Sequence, residues 1–402
     1  MTSDVAVMIE GPCEQIGRPG NISRCVTLLY SLYLCSLWTA GHSVKMVRSC
    51  LKLCNNRRGA RNIPFKNKCR RIIAYIAAAV LVILLLLKVL NSIDLWILHS
   101  RLYDPTLNPT LVPFEKLPPT GKHKIPKIIH QTWKDPYVPS RVTAWVKSWK
   151  QVHPDWEYWF WTDHGAREFI RTTFPPYLSM YDNYMQNIRR ADAMRYFILY
   201  HFGGLYADTD MQAVRPVDPL TYKYNCFLGQ EPPEHSLLDT NNEHLAINAI
   251  MGCRPGHPFF KLVVERLPDF SHMWDLLDST GPHFLTSVWK EYSRRNISDT
   301  NGDGVFLAPA EYFIPTTDPY KPFYFRSRCK NVEKLTRKQK EACVSFYIKK
   351  LREKPAPYSF TVHHWIHTYL PTEQLIWYLP TTHIRDLVPD VKLKYGHEYP
   401  EE

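Results

Sequence analysis

Two carboxylates one residue apart, Asp208 and Asp210, close the segment Ile188 to Asp210, which also carries Asp192 and Arg195 three residues apart. Like charges that close repel unless a cation sits between them. Carboxylate oxygens suit Mg²⁺ or Mn²⁺, ions held by one or two carboxylates together with substrate phosphates. The chemistry implied is a divalent cation and a diphosphate-bearing substrate. Farther along, Val362-His-His-Trp-Ile-His367 has two readings. One imidazole added to two carboxylates and a diphosphate completes an octahedral shell; alternatively, these histidines are the polar end of a buried strand.

The elements that must position these groups follow from spacing. Ile188, Ala191, Arg195, Ile198, Leu199 and Phe202 recur at threes and fours, and Gly203-Gly204 supplies a left-handed stop, so a helix is expected before the pair. A strand from Leu205 to Asp210 would follow, putting Asp208 and Asp210 on one side at its carboxyl end. On its own, Asp-x-Asp marks many solvated turns. Here it closes an Arg-x-x-Asp-x-x-Arg-Tyr helix and a Gly-Gly turn, a far rarer combination. Asp192 and Arg195 lie on one helix face, where they either form a structural ion pair or both reach into one cleft.

A chain of 402 residues with 45% hydrophobic content can bury a substantial core. Its 12 Trp and 24 Tyr also suit aromatic-lined binding surfaces. The net charge of +12 resembles a nucleic-acid signature until it is mapped along the chain. Between Ser43 and Arg71 lie ten Lys and Arg and no acid, which accounts for most of it. The basicity is therefore a local flank, and no nucleic-acid partner is expected.

That flank precedes Ile72 to Leu87, apolar apart from one Tyr and extendable to Leu90. A run of about 20 apolar residues spans a bilayer, and Lys88 can snorkel. The expected organisation is a cytosolic region 1–71, a transmembrane anchor 72–90, a stem 91–124, a catalytic domain 125–385 and a polar tail 386–402. Positive-inside bias makes the anchor type II and sends the large domain across the membrane. A second apolar stretch, Cys25 to Ala40, can be another span, a membrane-surface segment or a weakly structured extension. Neither span arrangement alters the side on which the large domain lies.

Six of the ten Cys precede the anchor, where a reducing cytosol or palmitoylation is the reading. Cys226, Cys253, Cys329 and Cys343 lie beyond it. An even number in an oxidising lumen suggests two disulfides with three possible pairings, of which proximity favours Cys226 with Cys253 and Cys329 with Cys343. Asn296-Ile-Ser298 is a glycosylation sequon on the same side.

Five prolines between Leu98 and Lys124 suit an extended stem. Beyond it, Lys127 to Trp133 reads as a buried first strand and Tyr158 to Trp161 as a second. Ser140 is expected to cap a helix with Val142, Trp145, Val146, Trp149 and Val152 on one face, and Asp163 another helix running to Thr173. Such alternation gives an α/β domain with a mostly parallel sheet, whose ligands bind beyond the carboxyl ends of strands. Trp133 and Asp208 both fall there. Helices are expected over His257 to Leu267 and up to Tyr292, with a strand at Val305 to Ala308. Asp299 to Gly304 begins like a calcium loop, but its twelfth position is Ala310, so a tight turn is expected.

Ile125-Pro-Lys-Ile-Ile-His-Gln-Thr-Trp-Lys134, Pro154-Asp-Trp-Glu-Tyr158, Trp161-Thr-Asp163, Arg189-Arg-Ala-Asp-Ala-Met-Arg-Tyr196, Gly203 to Asp210 and Val362-His-His-Trp365 together resemble the Asp-x-Asp sugar transferases of glycosyltransferase family 32. Within it, Met251 to Phe260 and Ser279-Thr-Gly-Pro282 are similar to the inositol phosphoceramide mannosyltransferase catalytic subunits. The resemblance implies a GT-A fold, a Rossmann-like mostly parallel sheet flanked by helices, behind the membrane anchor. It implies a nucleotide-sugar donor, Mn²⁺ or Mg²⁺, and retention of anomeric configuration. Trp133 would sit against the nucleotide base, and Asp192 and Arg195 would hold the donor sugar and its phosphates. Asp208 and Asp210 would bind metal and ribose, with His363 as the last metal contact and His364 as its substitute.

The function expected is transfer of a hexose, mannose from GDP-mannose, to an inositol phosphorylceramide or related sphingolipid in the Golgi lumen, with or without a regulatory subunit. Two other readings stand beside it. One is a family 32 galactosyl-, N-acetylglucosaminyl- or mannosyltransferase acting on another glycolipid or a protein glycan. The other is a non-catalytic lectin or receptor on a transferase-like fold.

Overall fold

The computed structural model describes residues 116–240, 242–295, 301–350, 358–368, 376 and 378–394, together with 75, 78, 80–86 and 89. The chain divides into two units, Met1–Asp94 and Leu95–Glu402. In the first, the described residues are helical and Tyr75, Val80 to Leu86 and Val89 stand exposed. Among the described residues no helix is long and apolar enough to cross a membrane, so the expected anchor helix is not found there. The remainder of 72–90, the stretch 25–40, the stem up to 115 and the sequon at Asn296 lie outside the described residues.

In the second unit the elements begin with β1 (Ile128–Thr132), β2 (Tyr137–Pro139), α1 (Thr143–Val152), β3 (Glu157–Trp161) and α2 (Asp163–Thr173). The main helix α3 (Asn187–Phe202) leads into β4 (Gly204–Ala207) and β5 (Met211–Ala213). Next come β6 (Cys226–Gln230), β7 (Ala246–Cys253), α4 (Pro258–Phe270), α5 (Leu276–Ser279) and α6 (Pro282–Ser293). The remainder is β8 (Phe306–Leu307), α7 (Pro322–Cys329), α8 (Arg337–Lys350), β9 (Thr361–His363), β10 (Thr381–His383) and β11 (Lys392–Lys394), with several shorter helices between.

Seven strands form one sheet in the order β11-β3-β1-β4-β7-β6-β8. Only β7 runs against its neighbours. The carboxyl ends of β1, β3, β4 and β6 therefore share one edge with the amino end of β7. Alternation along the strands feeds two cores, as a sheet covered on both faces requires. Tyr158, Phe160, Leu205, Ala207 and Phe227 pack to one side with Trp149 and Trp156. Trp161, Tyr206, Cys226 and Leu228 pack to the other with Phe197, Phe259 and Phe284.

Two local rules decide the turn that matters most. Gly203 and Gly204 have φ of 65° and 95°, a region L side chains avoid. A Cβ on Gly204 would also lie 2.6 Å from the Ile128 carbonyl oxygen. Both disulfides pair as expected, Cys226 with Cys253 across β6 and β7, and Cys329 with Cys343 between α7 and α8.

Several expectations shift. Strand β4 stops at Ala207, so Asp208 and Asp210 stand in the turn after it, and that turn, not strand alternation, places both on the wall of one cavity. Thr162, not Asp163, caps α2, accepting from the Gly165 amide. Helix α1 starts at Thr143 without a side-chain cap, Ser140 contributing only its carbonyl to the Thr143 hydroxyl. The residues expected as a polar tail supply β11, because Leu393 packs into the core while the ammonium groups of Lys392 and Lys394 lie over the Trp159 ring. The end of the expected stem is likewise docked, with the Lys124 amide bonded to the Thr221 carbonyl.

Two buried histidines tie the fold to pH. His130 donates from Nε2 to the Gly203 carbonyl at 2.9 Å and accepts from the Trp161 indole at Nδ1, 3.2 Å, so one neutral tautomer fits. Burial pushes it down to about 3. His257 caps α4 by accepting from the Phe259 amide, and burial with the nearby Arg254 charge pushes it down to about 4. Above the ordinary value of 6.5 both are neutral in either state and their contribution is intact. As pH falls from there, the unfolded chain takes up protons that the native core refuses, costing about 1.4 kcal/mol per pH unit for each histidine. Between pH 6.5 and about 4, His257→Asn, which keeps a cap acceptor, should therefore lose less stability per pH unit in urea unfolding than the parent chain. Equal slopes would contradict this.

Candidate active site

The site is built at the shared strand edge. Trp133 follows β1, Asp163 follows β3, Asp208 follows β4, Glu231 follows β6, and Asn248 lies near the start of β7. All five line a cavity of about 740 Å³ together with Asp192, Arg195, Asp210 and His363, a volume typical of small-molecule sites.

Arg195 is the hub. Its Nη2 lies 2.9 Å from Asp192 Oδ1 and its Nη1 lies 3.1 Å from Asp208 Oδ1, while Nη1 also donates to the Asn248 carbonyl at 2.8 Å. The guanidinium carbon sits 4.6 Å from the Tyr206 ring centroid. Burial opposes its charge, but Asp208, Tyr206 and Asp192 outweigh that and hold it protonated. The two sequence readings of the Asp192–Arg195 pair thus hold together: the residues are bonded to each other and also face the cavity.

Asp192 accepts from Asn248 Nδ2 at 2.9 Å and from the Thr280 hydroxyl at 3.3 Å. Burial pushes its carboxyl up to about 7, with Arg195 pulling the other way. Asp208 accepts from the Tyr206 hydroxyl at 2.8 Å, and Gln131 Nε2 donates to its backbone carbonyl at 2.9 Å. Burial raises the Asp208 carboxyl above the usual range despite Arg195.

Asp210 and His363 meet through an antiparallel ladder. Pairing of β5 with β9 sets Met211 opposite His363, which brings His363 Nε2 to 3.3 Å from Asp210 Oδ2. That oxygen also accepts the Ile366 amide at 2.8 Å. Burial would raise Asp210, but the imidazole charge and hydrogen bonds hold it below the usual range. Burial would equally lower His363, and Asp210 more than reverses that. His363 Nδ1 is buried without a hydrogen-bond partner.

His364 turns elsewhere. Its ring stacks on Trp145 with centroids 3.9 Å apart and its Nε2 meets Gln212 Oε1 at 2.9 Å. It is not among the residues lining the cavity that His363 faces. Strand β9 ends at His363, and the backbone beyond it gives the His364 amide to the Asp210 carbonyl at 3.0 Å while its ring packs on Trp145.

Sequence reasoning missed a second polar cluster in the cavity. Asp318 N–H donates to His235 Nε2 at 3.1 Å, so His235 donates from Nδ1 to Glu231 Oε2 at 2.8 Å. Although burial pushes the Glu231 carboxyl up, His235 holds it below the usual range. His367 Nε2 meets Asp318 Oδ2 at 3.0 Å. A Glu just past a strand running parallel to β4 was the available signal.

Among the described residues, the one trio of donor atoms already close enough to hold an ion is Cys226, Cys253 and His257, and its two sulfurs form the disulfide. The donor chemistry at Asp208, Asp210 and His363 nonetheless fits a hard divalent ion: two carboxylates and an imidazole with one nitrogen unpartnered.

Residues 139–227 match the family described as glycosyltransferase sugar-binding region containing DXD motif. Inositol phosphoceramide mannosyltransferase 3 of Schizosaccharomyces pombe is 41% identical over 175 residues, 42% of this chain and 46% of that protein. Mannosyl phosphorylinositol ceramide synthase SUR1 of Saccharomyces cerevisiae is 37% identical over 218 residues, 53% of this chain and 52% of that protein. Inositol phosphoceramide mannosyltransferase 1 of Schizosaccharomyces pombe is 30% identical over 236 residues, 56% of this chain and 71% of that protein. The chain belongs to this DXD glycosyltransferase family. It spans about half the length of the first two relatives. Solved structures are more remote: PaToxG glycosyltransferase gives 15% identity and a TM-score of 0.33, covering 64% of this chain and 93% of that one. The fold is accordingly read from the strand order itself.

The family's DXD motif here is Asp208-Thr209-Asp210, and the Arg195 hub makes its energetics testable. Arg195→Met leaves the buried Asp192 and the half-buried Asp208 without their cation, which should cost about 3 kcal/mol in urea unfolding, the low end for a buried pair. Asp192→Asn keeps the shape and hydrogen bonds and leaves Asp208 on Arg195, so it should cost under about 2 kcal/mol. Equal costs for the two would contradict the hub.

Proposed function

We propose that this chain is a GT-A type, retaining mannosyltransferase that moves mannose from GDP-mannose to an inositol phosphorylceramide or related sphingolipid. The observation that carries the reading is the Asp192–Arg195–Asp208 cluster with Asp210 and His363, in one cavity at the strand carboxyl ends. The names of the relatives supply the sugar and the lipid. A Golgi membrane location with the second unit in the lumen fits the two disulfides and the apolar run at 72–90, and a regulatory subunit is compatible with it.

In this reading Asp208, Asp210 and His363 hold Mn²⁺ or Mg²⁺, which when bound acts as a Lewis acid toward the leaving diphosphate. Trp133, at the end of β1, is the surface for the nucleotide base. Asp192, fixed by Asn248 and Thr280, accepts from donor-sugar hydroxyls. The Arg195 nitrogens engage Asp192, Asp208, Asn248 and Ala191, so its part is to fix the carboxylates and lend positive potential toward the diphosphate. The acceptor hydroxyl attacks on the face the diphosphate leaves, and the departing phosphate oxygen takes its proton. Double displacement would instead need a carboxylate nucleophile, for which Glu231 and Asp192 are the candidates, and a glycosyl adduct trapped on either would overturn front-face attack.

The full chain in membranes, incubated with Mn²⁺ and a panel of nucleotide sugars, should hydrolyse GDP-mannose in preference to UDP-sugars. Asp210→Ala should lower that turnover by about 10²-fold or more. GDP-mannose left untouched in the presence of every acceptor, while another donor turns over, would replace this donor assignment.

A further inference from the structure

Arg189, quoted above as part of the helix motif, has no part in the cavity. Its guanidinium is buried and tied to two loops: Nε donates to Gln186 Oε1 at 2.6 Å, Nη1 to the Met273 carbonyl at 2.7 Å and Nη2 to the Trp274 carbonyl at 2.6 Å. The clamp fixes the segment before α3 against the segment between α4 and α5. From those two pinned segments project the most exposed large apolar side chains among the described residues of the second unit, Met185 at 94% and Trp274 at 96%. A charge-assisted clamp on backbone carbonyls is strong, so these side chains are held out of the fold by their backbones.

Their position relative to the cavity gives them meaning. Gln186, Asn187 and Ile188, next to Met185, line it, and so do Leu276 and Leu277 just past Trp274. The two side chains stand beside one side of the cavity wall. A partner protein needs roughly 800 Å² of packed surface on each side, far more than two separate side chains and the partly exposed Met273 can offer. Interfacial insertion needs only a few such groups, and Trp at a loop tip suits the headgroup level of a bilayer. An amphiphilic acceptor also demands this: its headgroup must enter the polar cavity while its chains remain in the membrane.

We propose that Met185 and Trp274, clamped by Arg189, form a rim that dips into the bilayer interface and receives a lipid acceptor from it. The lipid part of this inference rests on the proposed acceptor class; the insertion does not. Asp275 beside Trp274 does not oppose it, since its carboxylate caps α5 by accepting the Leu277 amide at 2.7 Å.

The test uses the full chain in phosphatidylcholine vesicles. Vesicles of brominated phosphatidylcholine should quench tryptophan emission more in the parent chain than in Trp274→Phe. Met185→Ser combined with Trp274→Ser should raise KM for inositol phosphorylceramide in vesicles roughly ten-fold. The same variant should leave thermal unfolding, donor hydrolysis and KM for soluble inositol phosphate unchanged. Equal quenching in the parent chain and Trp274→Phe would overturn the inference, and so would a change in oligomeric mass in the double variant, which would make the rim a contact between copies. Loss of quenching without transfer to any inositol lipid would support the rim and refute the acceptor reading instead.

Discussion

A guanidinium taken out of water must be surrounded by opposite charge and acceptors, and most of the candidate site follows from meeting that demand at Arg195. Asp192 from the same helix, Asp208 from the turn after β4 and the Asn248 carbonyl of β7 supply them. These groups come from three segments that only the assembled sheet brings together. The Arg195 charge in turn holds the Asp192 and Asp208 carboxylates close. Burial raises both carboxyls and Arg195 pulls both the other way, so the guanidinium offsets part of the cost of holding them together.

The second half of the proposed clamp depends on a different constraint. Residues 361–363 lie far along the chain from Asp210, and only the short ladder between β5 and β9 sets His363 beside it. The Ile366 amide then fixes the same Asp210 oxygen that His363 approaches. Trp365, between those residues, has a φ of 55° and an unpartnered buried indole nitrogen. Such backbone strain persists only where surrounding contacts over-determine it.

The legible parts of this site are those with local causes. Helix α3 and its Gly-Gly stop follow from periodicity and from the positive φ that Gly203 and Gly204 adopt, and the disulfides follow from nearness in sequence. The end of β4 did not follow, because a strand ends where its ladder ends and that is decided by β7. Glu231 and the docking of Lys392 to Lys394 were equally hidden. Their roles are set by strand order, with β6 beside β7 and β11 beside β3, and no local pattern encodes that order. His364 was kept as a substitute for His363 for the same reason: the sequence offers two adjacent imidazoles, and it is the pairing of β5 with β9 that brings His363 to Asp210.

The central claim is that Asp208, Asp210 and His363 hold a divalent cation that carries a nucleoside diphosphate. Calorimetric titration of the full chain with GDP, with and without Mn²⁺, tests it without any acceptor. GDP binding should require Mn²⁺ and be abolished by Asp210→Asn while the unfolding transition is retained. GDP binding of equal strength without the cation, or undiminished in Asp210→Asn, would contradict it.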